Sequence, residues 1–355
     1  MLYRETGQIK TDYKSDMAMF PIAQDRWFIY GCVAVAVIGL PHFASSYIIE
    51  AFLIPILIWS LAALSLNMLL GYCGQLSLGH GAFMAVGAYA AYNFATRIPE
   101  LNIFIVFILA GLCAAAVSVL FGLPSMRIKG FYLAVSTLAA QFVIEWVFST
   151  VTWFSGDNAM GTVDTPAIVI FGYKLESSID LYMFCLVINI VLFVLAKNLV
   201  RGSVGRSWMA IRDMDVAASV IGIRLLPAKL LAFGVSGFYA GVAGAMYAFV
   251  YLKACDITSF DLFQSFNILF MVIIGGMGSV MGAYFGAAFI LLLPIVLNIT
   301  FQTFFATSGF AGLVSNIEHM VFGGLIMFFL IVEPLGLARL WSTAKEKLRL
   351  WPFPH

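Results

Sequence analysis

Few side chains in this sequence could do chemistry, and most of them fall within apolar stretches. Glu145 stands fifteen residues into an apolar window of about 130 to 150, with Gln141 one helical turn before it on the same face. His80 stands beside Gln75 and Ser77 in a glycine-rich run. Carboxylates, imidazoles and amides at membrane depth are costly, and they serve there as proton relays or as the lining of a solute path. These five residues are therefore candidates for a translocation path. Glu145, near one end of its span, is equally placed to reach the interface, and His80 to hydrogen-bond locally. Ser236, in Gly234-Val-Ser-Gly237, would need a histidine base to act as a nucleophile. The span count puts Ser236 near the inner end of the seventh span and His319 near the outer end of the last, so no dyad is expected. Gly237 and Gly241 read as helix packing. Neither a G-x-x-x-x-G-K-[ST] phosphate loop nor an H-E-x-x-H pair occurs, which excludes ATP binding by the first route and zinc chemistry by the second. The expectation is a chain that is not an enzyme and carries no catalytic, cofactor or metal site of its own.

The elements that hold these residues are membrane helices. Hydrophobic residues make up 62% of the chain and the mean hydropathy is +0.99, against roughly 45 to 50% apolar content in soluble domains. Apolar windows recur at about 27–46, 48–70, 76–95, 102–123, 130–150, 180–196, 228–251, 264–282, 284–303 and 316–333. Each is near the ~20 residues that cross a hydrocarbon core. The expected fold is an all-α polytopic membrane protein of about ten transmembrane helices. Basic residues accumulate in short cytoplasmic loops, and placing the N-terminus inside puts sixteen of the nineteen Lys and Arg on the cytoplasmic side, with only Arg97, Lys174 and Lys253 outside. Both termini are then cytoplasmic.

Residues 1–26 read as a polar cytoplasmic segment before an uncleaved first helix, residues 27–335 as one membrane domain, and residues 336–355 as a cytoplasmic tail whose Leu350-Trp-Pro-Phe-Pro end suits an interfacial anchor. The five cysteines are scattered without a C-x-x-C pair and read as free structural thiols. An outside loop of residues 151–179 carries Asp157, Asn158 and Gly161 in strong turn chemistry, and its length suits a gate or a contact for something arriving from outside. Gly278, Gly282 and Gly286 lie four apart, a spacing for close helix approach. Gly71/Gly74 and Gly275/Gly276 suit bends or broken helices.

The loop from Lys197 to Lys229 holds six of the nineteen basic residues. Within it, residues 206–222 place Ile211, Met214, Ala218 and Ile221 on one helical stripe, with Trp208, Arg212, Asp215 and Ser219 on a neighbouring face. A mere connector needs no charged, partly apolar helix, so this loop reads as a docking surface.

Beyond these physical signals, Asn67-Met-Leu-Leu-Gly-Tyr-Cys-Gly-Gln-Leu-Ser-Leu-Gly-His-Gly-Ala-Phe83 and Gly122-Leu-Pro-Ser-Met-Arg-Ile-Lys-Gly-Phe-Tyr-Leu-Ala-Val-Ser-Thr-Leu138 resemble the LivM-type permeases of bacterial branched-chain amino acid ABC importers. Gly205-Arg-Ser-Trp-Met-Ala-Ile-Arg-Asp213, Lys229-Leu-Leu-Ala-Phe233 and Ile274-Gly-Gly-Met-Gly-Ser-Val-Met-Gly282 extend the likeness, which runs from about residue 60 to 335. The resemblance implies an inner-membrane permease that works with a LivH-type partner permease, two cytoplasmic ATPase subunits that bind ATP and Mg, a periplasmic substrate-binding protein and membrane lipid, with no nucleic acid. It makes the loop a coupling helix, with Arg206, Trp208, Arg212, Asp213, Asp215, Ala218 and Gly222 as its ATPase-docking residues. Ala217-Ala218 followed by Gly222 fits the importer loop pattern, whereas Val216 stands where an acidic residue often does. Related permeases also serve urea, short amides and aromatic acids. An ion-coupled secondary transporter is the alternative of another class, and the near absence of ionisable pairs within spans argues against it.

Overall fold

The computed structural model describes residues 23–126, 131–154, 162–170, 172–305, 320, 323–324, 327–328, 331 and 336–350. In chain order these form α1 (Ala23–Ala34), α2 (Ser46–Tyr72), α3 (His80–Arg97), α4 (Ile103–Gly122), α5 (Phe131–Thr150), β1 (Val163–Asp164), β2 (Val169–Ile170), β3 (Tyr173–Lys174), α6 (Ser178–Arg201), α7 (Ser203–Asp213), α8 (Asp215–Val220), α9 (Leu225–Leu252), β4 (Ala254–Cys255), α10 (Leu262–Gly275), α11 (Val280–Phe305) and α12 (Gly336–Leu350). An antiparallel ladder of β1 with β4 fastens the 151–179 segment to the turn after α9, and β2 with β3 forms a hairpin within that segment. Asp157, Asn158 and Gly161 lie outside the described residues.

Seven helices among the described residues are long and apolar enough to cross a membrane: α2, α4, α5, α6, α9, the Ile257–Gly275 stretch ending in α10, and the Val280–Leu297 part of α11. The differences from the ten windows have physical causes. The 76–95 window becomes α3, which is less apolar because its first ten residues are buried against other helices and never meet lipid. The 264–282 window is cut at Gly275, since Gly276 (φ +114°) and Gly278 (φ +79°) take conformations closed to a continuing helix. The 27–46 window holds only a shorter apolar helix, Ile29–Phe43, and the 316–333 window lies mostly outside the described residues. Residues 336–350 are no loose tail. Gly336 sits on the Gly276 backbone and Trp341 packs against Phe285 with ring centroids 5.7 Å apart.

The core is α9, which packs against α4, α3 and α2. Small residues set these approaches. A Cβ on Gly241 would press into Ala114, one on Gly237 into Ser118, and one on Gly87 into the Gly241 backbone. Gly282 and Gly286 approach the backbone of α10 in the same way, while Gly278 serves the turn instead. Without a hydrophobic drive between helices in lipid, this close van der Waals contact carries the association. The described thiols, Cys73, Cys113, Cys185 and Cys255, are free.

Gly87→Leu and Gly241→Val are expected to destabilise the bundle by more than the roughly 1 to 3 kcal/mol typical of overpacking, because the clash is with the Gly241 backbone in the first and the Ala114 methyl in the second, neither of which can rotate away. Gly31→Ala, with nothing within 4 Å of the new Cβ, should be neutral or slightly stabilising. Thermal unfolding in detergent separates the two classes.

Candidate translocation site and coupling loop

Helix α2 ends in a π turn, Met68–Tyr72, and is closed by Gly74 at φ +70°. The amides of Gly74 and Gln75 return to Leu70 O and Leu69 O, both at 3.1 Å, a glycine cap widened by the π turn. The chain then runs through residues 74–79 without regular structure before α3 begins at His80. Gln141 lies ten residues along α5 and Ser236 eleven along α9, so the start of α3 sits roughly 15 Å deep at 1.5 Å per residue. That is about the midplane of a ~30 Å core.

At that depth no water satisfies a broken backbone, and side chains take its place. Thr137 Oγ1 accepts from Leu78 N at 2.9 Å, Ser265 Oγ from Gly81 N at 2.8 Å, and Gln141 Oε1 from Ala82 N at 2.7 Å. The last two are orphan donors of the first turn of α3. The other end of Gln141, Nε2, donates to Phe260 O at 2.7 Å, which ties in the residues that lead into α10. Gly79 and Gly81 allow this convergence, since a Cβ on either would meet backbone carbonyls at 2.6 to 3.0 Å.

His80 lies at the centre with no exposed surface. Its Nε2 is 2.8 Å from Ser236 Oγ and its Nδ1 3.2 Å from Ser77 Oγ. Ser236 Oγ donates its single proton to Ser65 O at 2.8 Å, so it accepts from His80 Nε2–H. Ser77 Oγ accepts from Gly79 N and donates to Nδ1. This pattern satisfies every group and directs the Ser236 proton away from the imidazole, the reverse of what a nucleophile and its base require. His319 lies outside the described residues. The serine expected to have no histidine partner therefore has one, in His80, and the pair is structural glue.

Three of the five path candidates thus come together as a closed polar knot: Ser77, His80 and Gln141 are all buried. Gln75 is also buried, and neither of its amide atoms has a hydrogen-bond partner. Glu145 is half-buried one turn beyond Gln141, on a helix that turns Phe142 and Trp146 outward. Sequence reasoning passed over Ser65, Asn67, Thr137 and Ser265. Their signal was small polar residues recurring inside apolar windows, which helices also tolerate with no role.

The loop holds two helices, not one. Met214 is extended (φ −161°, ψ 102°) between α7 and α8, and this splits the expected stripe. Ile211 and Ala218 are buried, while Met214 and Ile221 are exposed. Trp208 is wholly buried, its Nε1 donating to Ala228 O at 2.9 Å, so it fixes the loop to the start of α9 and offers nothing to a partner. The outward surface is apolar: Val216 is 65%, Val220 81% and Ile221 72% exposed, with Gly222 (φ +90°) at the turn. Arg206 donates to Arg201 O.

Arg212, with 39% of its side chain exposed, reaches across to α2. Its Nη1 donates to Gly71 O at 2.9 Å at the end of α2, while Nε and Nη2 hold Asp213 Oδ1 at 3.0 and 2.9 Å. Asn67, one turn back on α2 and fully buried, donates through Nδ2 to Ser279 O at 2.6 Å and accepts from Gly278 N at 2.9 Å. The end of α7, the end of α2 and the 276–279 turn between α10 and α11 are thereby clamped together.

The family model described as branched-chain amino acid transport system / permease component matches residues 48–330. The chain is 28% identical over 303 residues to the high-affinity branched-chain amino acid transport system permease protein LivM of Escherichia coli, and equally to that of Salmonella typhimurium; each alignment covers 79% of this chain and 68% of the relative. The probable branched-chain amino acid transport permease protein LivM of Methanocaldococcus jannaschii is 22% identical over 321 residues, covering 79% of this chain and 92% of the relative. No solved structure matches.

Gln141→Leu leaves Ala82 N and Phe260 O unpaired in the core, and each such group costs about 1 to 3 kcal/mol. The variant should unfold in detergent well below the wild type, whereas Glu145→Gln, one turn away, should unfold with it. Equal stability of the two would remove the knot's structural role.

Proposed function

From the premise that the chain belongs to the family of branched-chain amino acid transport system permease components, we propose that it is the LivM-type subunit of an ABC importer that carries branched-chain amino acids across a bacterial inner membrane. Its partners are a LivH-type permease, two cytoplasmic ATPase subunits that bind ATP and Mg, and a periplasmic binding protein that delivers the solute. Lys197–Lys229 faces the cytoplasm with both termini, as the sidedness of the basic residues supports, and about ten spans complete the topology. The chain contributes no ATPase site.

One observation carries the mechanism: the Arg212 clamp. Docking of an ATPase on the apolar surface of Val216, Val220 and Ile221 moves α7 and α8 as a unit, because Trp208 and Ala218 anchor them. Arg212 transmits that shift to the end of α2, and Asn67 relays it to the turn between α10 and α11. A two-state membrane domain biased in this way exchanges outward for inward access. Of the docking residues expected from sequence, Gly222 stays at the contact with Asp213 and Asp215 beside it, while Trp208 and Ala218 act from within and the part-exposed Arg212 joins that surface to α2. The buried knot of Ser77, His80 and Gln141 is a fixed pivot in this state, and the unpaired amide of Gln75 is a group whose partners arrive in the other.

In proteoliposomes holding the complete importer, uptake of leucine, isoleucine and valine is expected to need ATP and the binding protein. Transport that persists without the ATPase subunits, or a binding protein that holds only urea, amides or aromatic acids, would sink the assignment. Val220→Asp with Ile221→Asp should release the ATPase subunits during purification. Arg212→Glu should retain them and yet uncouple their hydrolysis from uptake. If both variants behave as wild type, the loop does not couple.

A further inference from the structure

The knot is closed, yet a cleft of about 420 Å³ opens beside it, between α2, the end of α9, α10 and α11. This lies within the roughly 300 to 1,000 Å³ of small-molecule sites. Five aromatic rings, from Phe52, Trp59, Tyr247, Tyr251 and Phe263, form much of its wall. Residues 247–252 at the end of α9 form a π turn, a feature frequent at functional sites. There Tyr247 and Tyr251 stack with centroids 5.6 Å apart, and Tyr247 meets Trp59 edge-on at 5.2 Å. Tyr247 also abuts Phe260, the residue whose carbonyl Gln141 holds, so the cleft wall and the knot are in contact.

Two amides, Gln264 and Asn267, line the opposite wall from α10, joined by Asn267 Nδ2 donating to Gln264 Oε1 at 3.4 Å. Because α10 starts beside the knot, these amides stand at hydrocarbon depth, where lipid chains give a polar group no partner and such groups face a cavity or another subunit. That pair leaves the Asn267 carbonyl oxygen to accept and the Gln264 amide to donate. A zwitterion asks for both, an acceptor for its ammonium and a donor for its carboxylate. No charged side chain among the described residues lines the cleft, so a solute with a net-charged side chain would lose its hydration without compensation, while an aliphatic side chain fits the aromatic wall. Neutral amides also hold a zwitterion weakly, as a passage site requires.

We infer that this cleft is the half of the translocation path contributed by this chain, and that it takes neutral amino acids with aliphatic side chains, held by Gln264 and Asn267 against Trp59 and Tyr247. The inference rests on the permease reading above, which gives the solute class, and adds the site and the residues that hold the solute.

The test uses the complete reconstituted importer and reads leucine uptake together with the ATP hydrolysis that loaded binding protein stimulates. N267L and Q264L are expected to lower uptake about tenfold or more, the scale of losing hydrogen bonds to charged groups, while stimulated hydrolysis persists. N267Q, which keeps an amide, should restore much of the uptake. Unchanged uptake in N267L and Q264L overturns the site. An equal fall of uptake and hydrolysis that N267Q does not relieve also overturns it, because that marks a structural role. Photocrosslinking from position 263 that captures only phospholipid does so too. Absence of leucine, isoleucine and valine uptake by the wild-type complex would instead fail the permease reading beneath it.

Discussion

Inside a bilayer a peptide group that leaves the helical ladder has no water to turn to, and this constraint governs the centre of the molecule. The chain leaves the helical ladder from Gly74 to Gly79, between α2 and α3, and the side chains around it answer that break. Thr137, Ser265 and Gln141 receive the exposed amides, Gln141 spans to the Phe260 carbonyl, and His80 is held between two serines. The side chains come from α3, α5, α9 and α10 and from the segment before α3, so the break can exist only once those elements have packed. Low dielectric strengthens such a network when complete and penalises it heavily when one member is lost.

The network in turn depends on close helix approach. Ser236 reaches His80 because α9 lies against α3 through Gly87, Gly241 and Gly244, residues with no side chain to hold the backbones apart. The same economy appears at the other end of the bundle, where Gly275, Gly282 and Gly286 draw α10 and α11 together and Gly276 and Gly278 turn the chain between them. Asn67 fills that turn's hydrogen bonds and Arg212 fills those at the end of α2. The end of α7 is thereby tied to stiff backbone on both α2 and the turn between α10 and α11.

Polar residues in the membrane divide here into two kinds. Those in the knot are saturated by the chain's own backbone and hydroxyl groups and have nothing left for a solute. Those of the cleft, Gln264 and Asn267, satisfy one another only in part and stand on a wall open to the surroundings. Residue type alone does not separate the two kinds, since an amide serves either purpose; what separates them is whether the fold brings enough protein partners within hydrogen-bond reach.

The sequence by itself determined the class and the family, because both rest on features summed along the chain: apolar windows the length of a bilayer, one-sided Lys and Arg, and motifs running from Asn67 to Gly282. It also marked Gly71/Gly74 and Gly275/Gly276 as places where helices end, since a left-handed turn in an apolar run calls for glycine. Tertiary structure alone decided who meets whom. Ser236 and His80 are 156 residues apart, and Asn67 lies 212 from Ser279. It also decided direction. Trp208 and Ala218 carry the composition of a docking face yet are buried, and the break at Met214 separates α8 from the stripe that a single helix would have presented. Periodicity assumes an unbroken helix, and the one residue that breaks it has an ordinary side chain with no signal of its own.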